Sequence, residues 1–224
     1  MSTNTLTIAL PKGRLGVDAL NALMAVGFGQ TVNLESRQLI FYDEVNDVRY
    51  MIVKPVDVIT YVYEGVADLG IIGKDSIMEE NKDIYELLDL GFGQCKFAIA
   101  GYPNQTINPK DEVLRVASKY PFVSQKYFQS KEQKIEIIKL NGSVELAPLV
   151  GLSDVIVDIV ETGSTLKANG LTILEDMFDI SAKLISNRVS YRFKTAKIND
   201  LMQRLNSYLG VILWLKSLKI IVMH

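Results

Sequence analysis

Short aliphatic runs alternate with amphipathic stretches along this chain, and that alternation predicts an α/β fold. Residues 6–10 (LTIAL) read as a buried strand. Residues 15–26 carry an apolar stripe at helical spacing (Leu15, Ala19, Leu20, Leu23, Met24) that stops at Gly27. Two strands are expected at 38–42 and 49–53 around the polar turn 43–47, then a helix capped by Asp57 and ended by Gly65. A strand at 69–72 and a helix capped by Asp75 complete the first series.

A second series follows. Strands are predicted at 96–100, 113–117, 135–140 and 155–160, with helices near 122–128 and 144–150. A long strand over 183–192 and an amphipathic helix over 198–209 close the pattern. The interruption at Gly91-Phe92-Gly93 marks a boundary, and 179–184 a return crossing. The expected organisation is therefore two α/β lobes with mainly parallel sheets around a cleft. Lobe I takes residues 1–90 plus 182–210, lobe II takes 91–181, and 211–224 form an atypical apolar tail.

Composition narrows the chemistry. With 224 residues, 48% hydrophobic, the chain can bury one large core or two smaller ones. Its 24 basic and 26 acidic residues are dispersed, which argues against nucleic acid as a partner. The one cysteine, Cys95, forbids an internal disulfide and suits a cytoplasmic location. The one histidine, His224, is terminal, so a Cys/His zinc site and a Ser-His or Cys-His catalytic pair are not expected. The N-terminal stretch MSTNTLTIALPKGR lacks the pattern of a signal peptide. The tail is shorter than the roughly 20 residues that span a bilayer, so no membrane association is expected.

The sharpest local feature follows the apolar run DVIV: Asp158-Ile159-Val160-Glu161-Thr162-Gly163-Ser164-Thr165. A strand ending in a hydroxyl-rich turn that opens a helix offers free amides to a phosphate. Gly163 permits close backbone approach, and Thr162, Ser164 and Thr165 add hydroxyl donors. Asp158 and Glu161 can accept hydrogen bonds from sugar hydroxyls. The same residues also suit a plain N-capped helix with no ligand. Other phosphate motifs fail: Asp68 stands where a P-loop needs its first glycine, and neither GFG triplet has the third glycine of a dinucleotide fingerprint.

The segment from Glu145 (ELAPLVG), through Asp154, to DIVETGSTLKANGL resembles the signature of the ATP phosphoribosyltransferases. LPKGRL at 10–15 and KPVDVITYVYEGVADLGIIGKD at 54–75 resemble two further blocks of that family, in the family's order. The resemblance implies lobes like those of the type II periplasmic binding proteins, and transfer of the phosphoribosyl group of phosphoribosyl pyrophosphate to N1 of ATP with Mg2+. It implies that Thr162, Gly163, Ser164 and Thr165 hold the 5-phosphate, with Asp158 and Glu161 on the ribose. Lys12, Gly13 and Arg14 would lie along the pyrophosphate or the ATP phosphates. Lys54, Gly73 and Lys74 would join them, although Lys54 also suits an ordinary surface lysine.

Long members of the family carry a histidine-binding C-terminal domain. The present length resembles the short form, which works with a separate subunit similar to histidyl-tRNA synthetase. The tail VILWLKSLKIIVMH, ten of whose 14 residues are apolar, matches no block of the family. A partner-docking segment, a self-association segment and an irregular end all remain open for it. Two rival functions also stand: a solute-binding module of the same architecture, which needs no phosphate cradle, and a phosphoribosyltransferase acting on a free base, which leaves the first two blocks unexplained.

Overall fold

The computed structural model describes residues 5–107 and 113–222, with the backbone alone from 212 onward. His224 lies outside the described residues, as do residues 108–112, between the strands expected at 96–100 and 113–117. Two compact units emerge. Unit 1 runs to Ile77 and takes in Asn81–Gly93 and everything described from Ser181 on; unit 2 is Met78–Glu80 plus Gln94–Ile180.

In chain order unit 1 opens with β1 (Leu6–Pro11), α1 (Arg14–Ala25), β2 (Ile40–Asp43), β3 (Val48–Val53) and α2 (Val58–Tyr63). It continues with β4 (Leu69–Gly73), α3 (Lys74–Glu80), whose last turn belongs to unit 2, and β5 (Tyr85–Asp89). Unit 2 follows with β6 (Cys95–Gly101), β7 (Leu114–Ser118), α4 (Pro121–Ser130) and β8 (Ile135–Lys139). Its remaining elements are α5 (Leu146–Leu149), β9 (Val155–Val160), α6 (Ser164–Ala168) and β10 (Thr172–Ile180). The chain then returns to unit 1 as β11 (Ala182–Ser186), α7 (Arg188–Phe193) and α8 (Thr195–Val222).

Each unit is a sheet covered by helices on both faces. β1 is buried along its whole length because Ile8 and Leu10 face α1 and α8, while Ala9 faces α2 with Val58, Ile59 and Val62. A strand covered on both sides needs a continuous apolar run, which is why LTIAL was legible. In unit 2, Phe97, Ile99 and Val157 pack against Val123 and Phe128 of α4; Ala98, Ala100 and Ile156 turn the other way, toward Ala147 and Leu166.

The sheets are mixed rather than mainly parallel. The orders are β2-β3-β1-β4-β11-β5 and β10-β6-β9-β7-β8. Parallel pairing is confined to β3-β1-β4 in the first and β9-β7-β8 in the second. β2, β11, β5, β6 and β10 join them antiparallel.

Other expectations are corrected in detail. The strand expected over 183–192 stops at Ser186, because the Asn187 side chain accepts the Ser190 amide at 2.7 Å and caps α7. The closing helix does not end at Leu209 but continues through Val222. Asp57 stands at the N-cap of α2 and Asp75 in the first turn of α3, yet neither helix has a side-chain cap; Gly73 holds the cap position of α3.

Asp68, expected to be a turn acid, is a buried junction. Its Oδ2 accepts the Thr7 amide and the Lys194 ammonium, each at 2.7 Å, and its Oδ1 accepts the Ser190 hydroxyl at 2.5 Å. One carboxylate thus joins β1 to α7 and to the residue that leads into α8.

Candidate active site

In unit 2, β9 lies between β6 and β7 and delivers the Asp158–Thr165 turn at its end. Gly163 adopts φ +73°, a left-handed conformation that costs an L side chain about 1–2 kcal/mol. It swings the chain into α6, whose first-turn amides (Ser164, Thr165, Leu166) are those a helix leaves without intrahelical partners. Thr162 Oγ1 lies 3.0 Å from Ser164 Oγ, so the hydroxyls gather on one side of the turn. The helix is shorter than expected for a strong macrodipole, at five residues, so anion affinity here rests on local amides and hydroxyls.

Asp158, Glu161, Thr162, Gly163, Ser164 and Thr165 all line one cavity of about 330 Å3. The structure therefore brings together every residue singled out in this turn. The Asp158 carboxylate accepts the adjacent Ile159 amide at 2.8 Å. Glu145 and Cys95 line the same cavity, and neither was given a role from sequence. Glu145 heads the ELAPLVG block, and that position was the one available signal. Among the lining residues there are three carboxylates (Glu145, Asp158, Glu161) and no lysine or arginine.

The other singled-out residues form a second group, in unit 1. β1 and β3 are paired in parallel with Pro11 opposite Val53, and β1 and β4 with Ala9 opposite Gly70. Lys12, Lys54 and Gly73 therefore stand level on the edge where the three strands end, where α/β proteins gather ligands. Gly13 has φ +88° and forms the N-cap of α1, so the Lys12-Gly13-Arg14 turn needs glycine at its centre. Lys12, Arg14 and Lys54 are exposed. Lys74 starts α3 on the same edge, but its ammonium donates to Glu86 Oε1 at 2.5 Å, which offsets its charge.

At the start of β9, the end opposite the Asp158–Thr165 turn, Arg115 and Asp154 anchor the loop that enters the strand. Arg115 Nη2 donates to Asp154 Oδ1 at 2.7 Å, its backbone amide to Oδ2 at 2.8 Å, and Nη1 to the Gly151 carbonyl at 3.0 Å. The side-chain hydrogen bond from Arg115 holds the Asp154 carboxyl below its ordinary range. A depressed folded-state pKa gives stability that is present above the unfolded value, about 4, and is lost as pH falls through the folded value. Asp154→Asn is thus expected to be less stable than the parent at pH 7 and to lose less on acidification, so that melting curves of the two draw together as pH falls below the ordinary carboxylate range.

The VFT2 domain of Bordetella pertussis BvgS, 13% identical, aligns over 94% of this chain and 92% of its own with a TM-score of 0.54, which places the fold in the class of type II periplasmic binding proteins. A HisG subunit is nearer: the ATP phosphoribosyl transferase (HisG:HisZ) complex from Thermotoga maritima matches at 36% identity and a TM-score of 0.79, covering 92% of this chain and 98% of that one. The family profile described as HisG, ATP phosphoribosyltransferase, matches residues 54–207. The ATP phosphoribosyltransferase of Clostridioides difficile (strain 630) is 60% identical over 88% of this chain and 95% of its own length, and that of Oceanobacillus iheyensis 48% identical over 91% and 98%.

The chain belongs to the ATP phosphoribosyltransferase family. It is a pentosyltransferase, and its reaction is the first step of histidine biosynthesis. No helix among the described residues is long and apolar enough to cross a membrane.

Proposed function

We propose that the Asp158–Thr165 turn binds the 5-phosphate and ribose of phosphoribosyl pyrophosphate, and that the strand edge of unit 1 receives the polyphosphate groups. The observation that carries this reading is the left-handed Gly163, which sets amides and the hydroxyls of Thr162, Ser164 and Thr165 around one cavity with Asp158 and Glu161. Asp158 accepts hydrogen bonds from the ribose hydroxyls, with Glu161 beside it. Lys12, Gly13, Arg14 and Lys54 lie along the pyrophosphate or the triphosphate of ATP, with Gly73 and a partly neutralised Lys74 completing that edge.

N1 of ATP uses its own lone pair to form the bond to C1 of the ribose, and the bond from C1 to pyrophosphate oxygen breaks with its electron pair leaving on pyrophosphate. No general base is needed for the attack, which suits a site without histidine. The work of the protein is alignment, together with carboxylates that tolerate positive charge developing on the sugar. Mg2+, when bound, covers the negative charge of the leaving group. Among the described residues no cluster of three or more Asp, Glu, His or Cys side chains is arranged to hold a metal. Mg2+ in nucleotide sites commonly keeps its waters and binds substrate phosphates with one or two carboxylates, and Asp158, Glu161 and Glu145 supply such groups.

The Thermotoga relative is found as a complex of HisG with HisZ. On that likeness we assign this chain a similar regulatory subunit, related to histidyl-tRNA synthetase; its biosynthetic role and lone cysteine favour a cytoplasmic location. One assay tests the whole reading: phosphoribosyl-ATP and pyrophosphate measured from ATP and phosphoribosyl pyrophosphate with Mg2+, with and without that subunit. The expected result is weak turnover by the chain alone and strong turnover by the complex. Absence of pyrophosphate release in both would support a solute-binding module instead.

A further inference from the structure

α7 follows the end of β11, which pairs antiparallel with β4 so that Ser186 lies opposite Leu69, at the start of β4. The helix therefore stands at the edge of the first sheet opposite the one that carries Lys12, Lys54 and Gly73. Its inner face is fixed. Ser190 is buried, Tyr191 packs against the core of unit 1, and the capping Asn187 also donates to the Ala67 carbonyl at 3.2 Å. Just past the last turn, Lys194 donates to Asp68 and to the Thr5 carbonyl, each at 2.7 Å.

The outer face is apolar and bare. Val189 is 66% exposed and Phe193 79%, and their i, i+4 spacing sets them side by side. Single exposed apolar side chains are ordinary on a protein surface. A pair led by an aromatic ring, on a helix pinned at both ends, has the form of a binding anchor, because its backbone is ordered before a partner arrives. Charge narrows what covers it. Arg192, next to Phe193, is exposed and has no ion pair among the described residues, whereas Arg188 is engaged by Asp83 at 2.5 Å. An apolar pocket bordered by a carboxylate complements that arrangement. A second copy docked face to face would set Arg192 against its own equivalent, so the surface suits a different chain.

We infer that the outer face of α7 docks the regulatory subunit, with Phe193 and Val189 entering an apolar pocket and Arg192 meeting a carboxylate at its border. The inference rests on the reading that the chain works in a complex with that subunit. A partner seated on α7 approaches the sheet from the edge opposite Lys12 and Lys54 and leaves their edge open to substrate.

The test titrates the full chain with the purified regulatory subunit and follows binding by sedimentation, beside the melting temperature and the turnover of the chain alone. Phe193→Ala is expected to weaken the complex about thirtyfold, the scale of an aromatic hot spot, and Val189→Ala about fivefold. Arg192→Glu weakens it as well and removes much of its dependence on salt. The melting temperature and the turnover of the free chain stay at parent values, because all three side chains are exposed and away from the substrate edge. Turnover of each variant recovers when the subunit is raised to saturation. Parent affinity in Phe193→Ala and Arg192→Glu overturns the inference. So does a change in self-association of the free chain with binding of the subunit untouched. If the parent chain itself fails to bind the subunit, the reading of a complex falls and takes this surface with it.

Discussion

Replacing Asp158 with alanine lowers kcat/KM for phosphoribosyl pyrophosphate by about a hundredfold, the upper range for loss of a hydrogen bond to a charged group. Thr165→Ala lowers it about tenfold, because a neutral hydroxyl contributes less and the neighbouring amides remain. Both effects should fall on substrate, not on folding. The Asp158 carboxylate accepts the amide of the next residue, and Thr165 is exposed. Steady-state kinetics with each substrate varied, run beside thermal melts, checks both points. Parent-like kinetics in both variants would remove the phosphate turn from the site.

The largest effect on stability is expected at Asp68. Its side chain is 8% exposed and that of its partner Lys194 17% exposed, so their pairing is mostly shielded from water. Asp68→Ala leaves the ammonium without its charge partner and the Thr7 amide and Ser190 hydroxyl without their acceptor. Breaking one side of such a pair costs about 3–5 kcal/mol, which lowers the melting temperature of a chain this size by roughly 6–20 °C. Lys194→Met removes the charge and part of the penalty, so the double variant should be less damaged than the sum of the two single ones. Urea unfolding of the four proteins measures that coupling directly. Additive losses would mean that Asp68 acts through its other bonds alone.

The strand–turn–helix geometry of Asp158–Thr165 was legible because it is local. Five consecutive residues, Glu161 to Thr165, set the backbone and supply the donors, so linear sequence holds nearly all of that information. Glu145 was not legible, since it reaches the same cavity from a different element. The inner strands announced themselves through apolar runs buried on both faces. The strands β5 and β10, whose apolar residues are interrupted by charged ones, as in Tyr85-Glu86-Leu87-Leu88-Asp89, did not. The stretch RVSYRF misled for a different reason. Its valine, tyrosine and phenylalanine favour a strand, yet the Asn187 cap and the pull of Lys194 toward Asp68 fix it as a helix.

The position of β11 bears on biosynthesis of the chain. It lies between β4 and β5 in the first sheet, although both of those precede the main segment of unit 2, Gln94–Ile180, and β11 follows it. On the ribosome, β4 must therefore wait with one row of amides and carbonyls unsatisfied until the entire intervening segment has emerged. Unit 2, almost wholly continuous in sequence, can complete its own sheet during that interval. Release of a nascent chain before Ser186 would leave an exposed β4 edge, the kind of surface that chaperones bind and that drives aggregation.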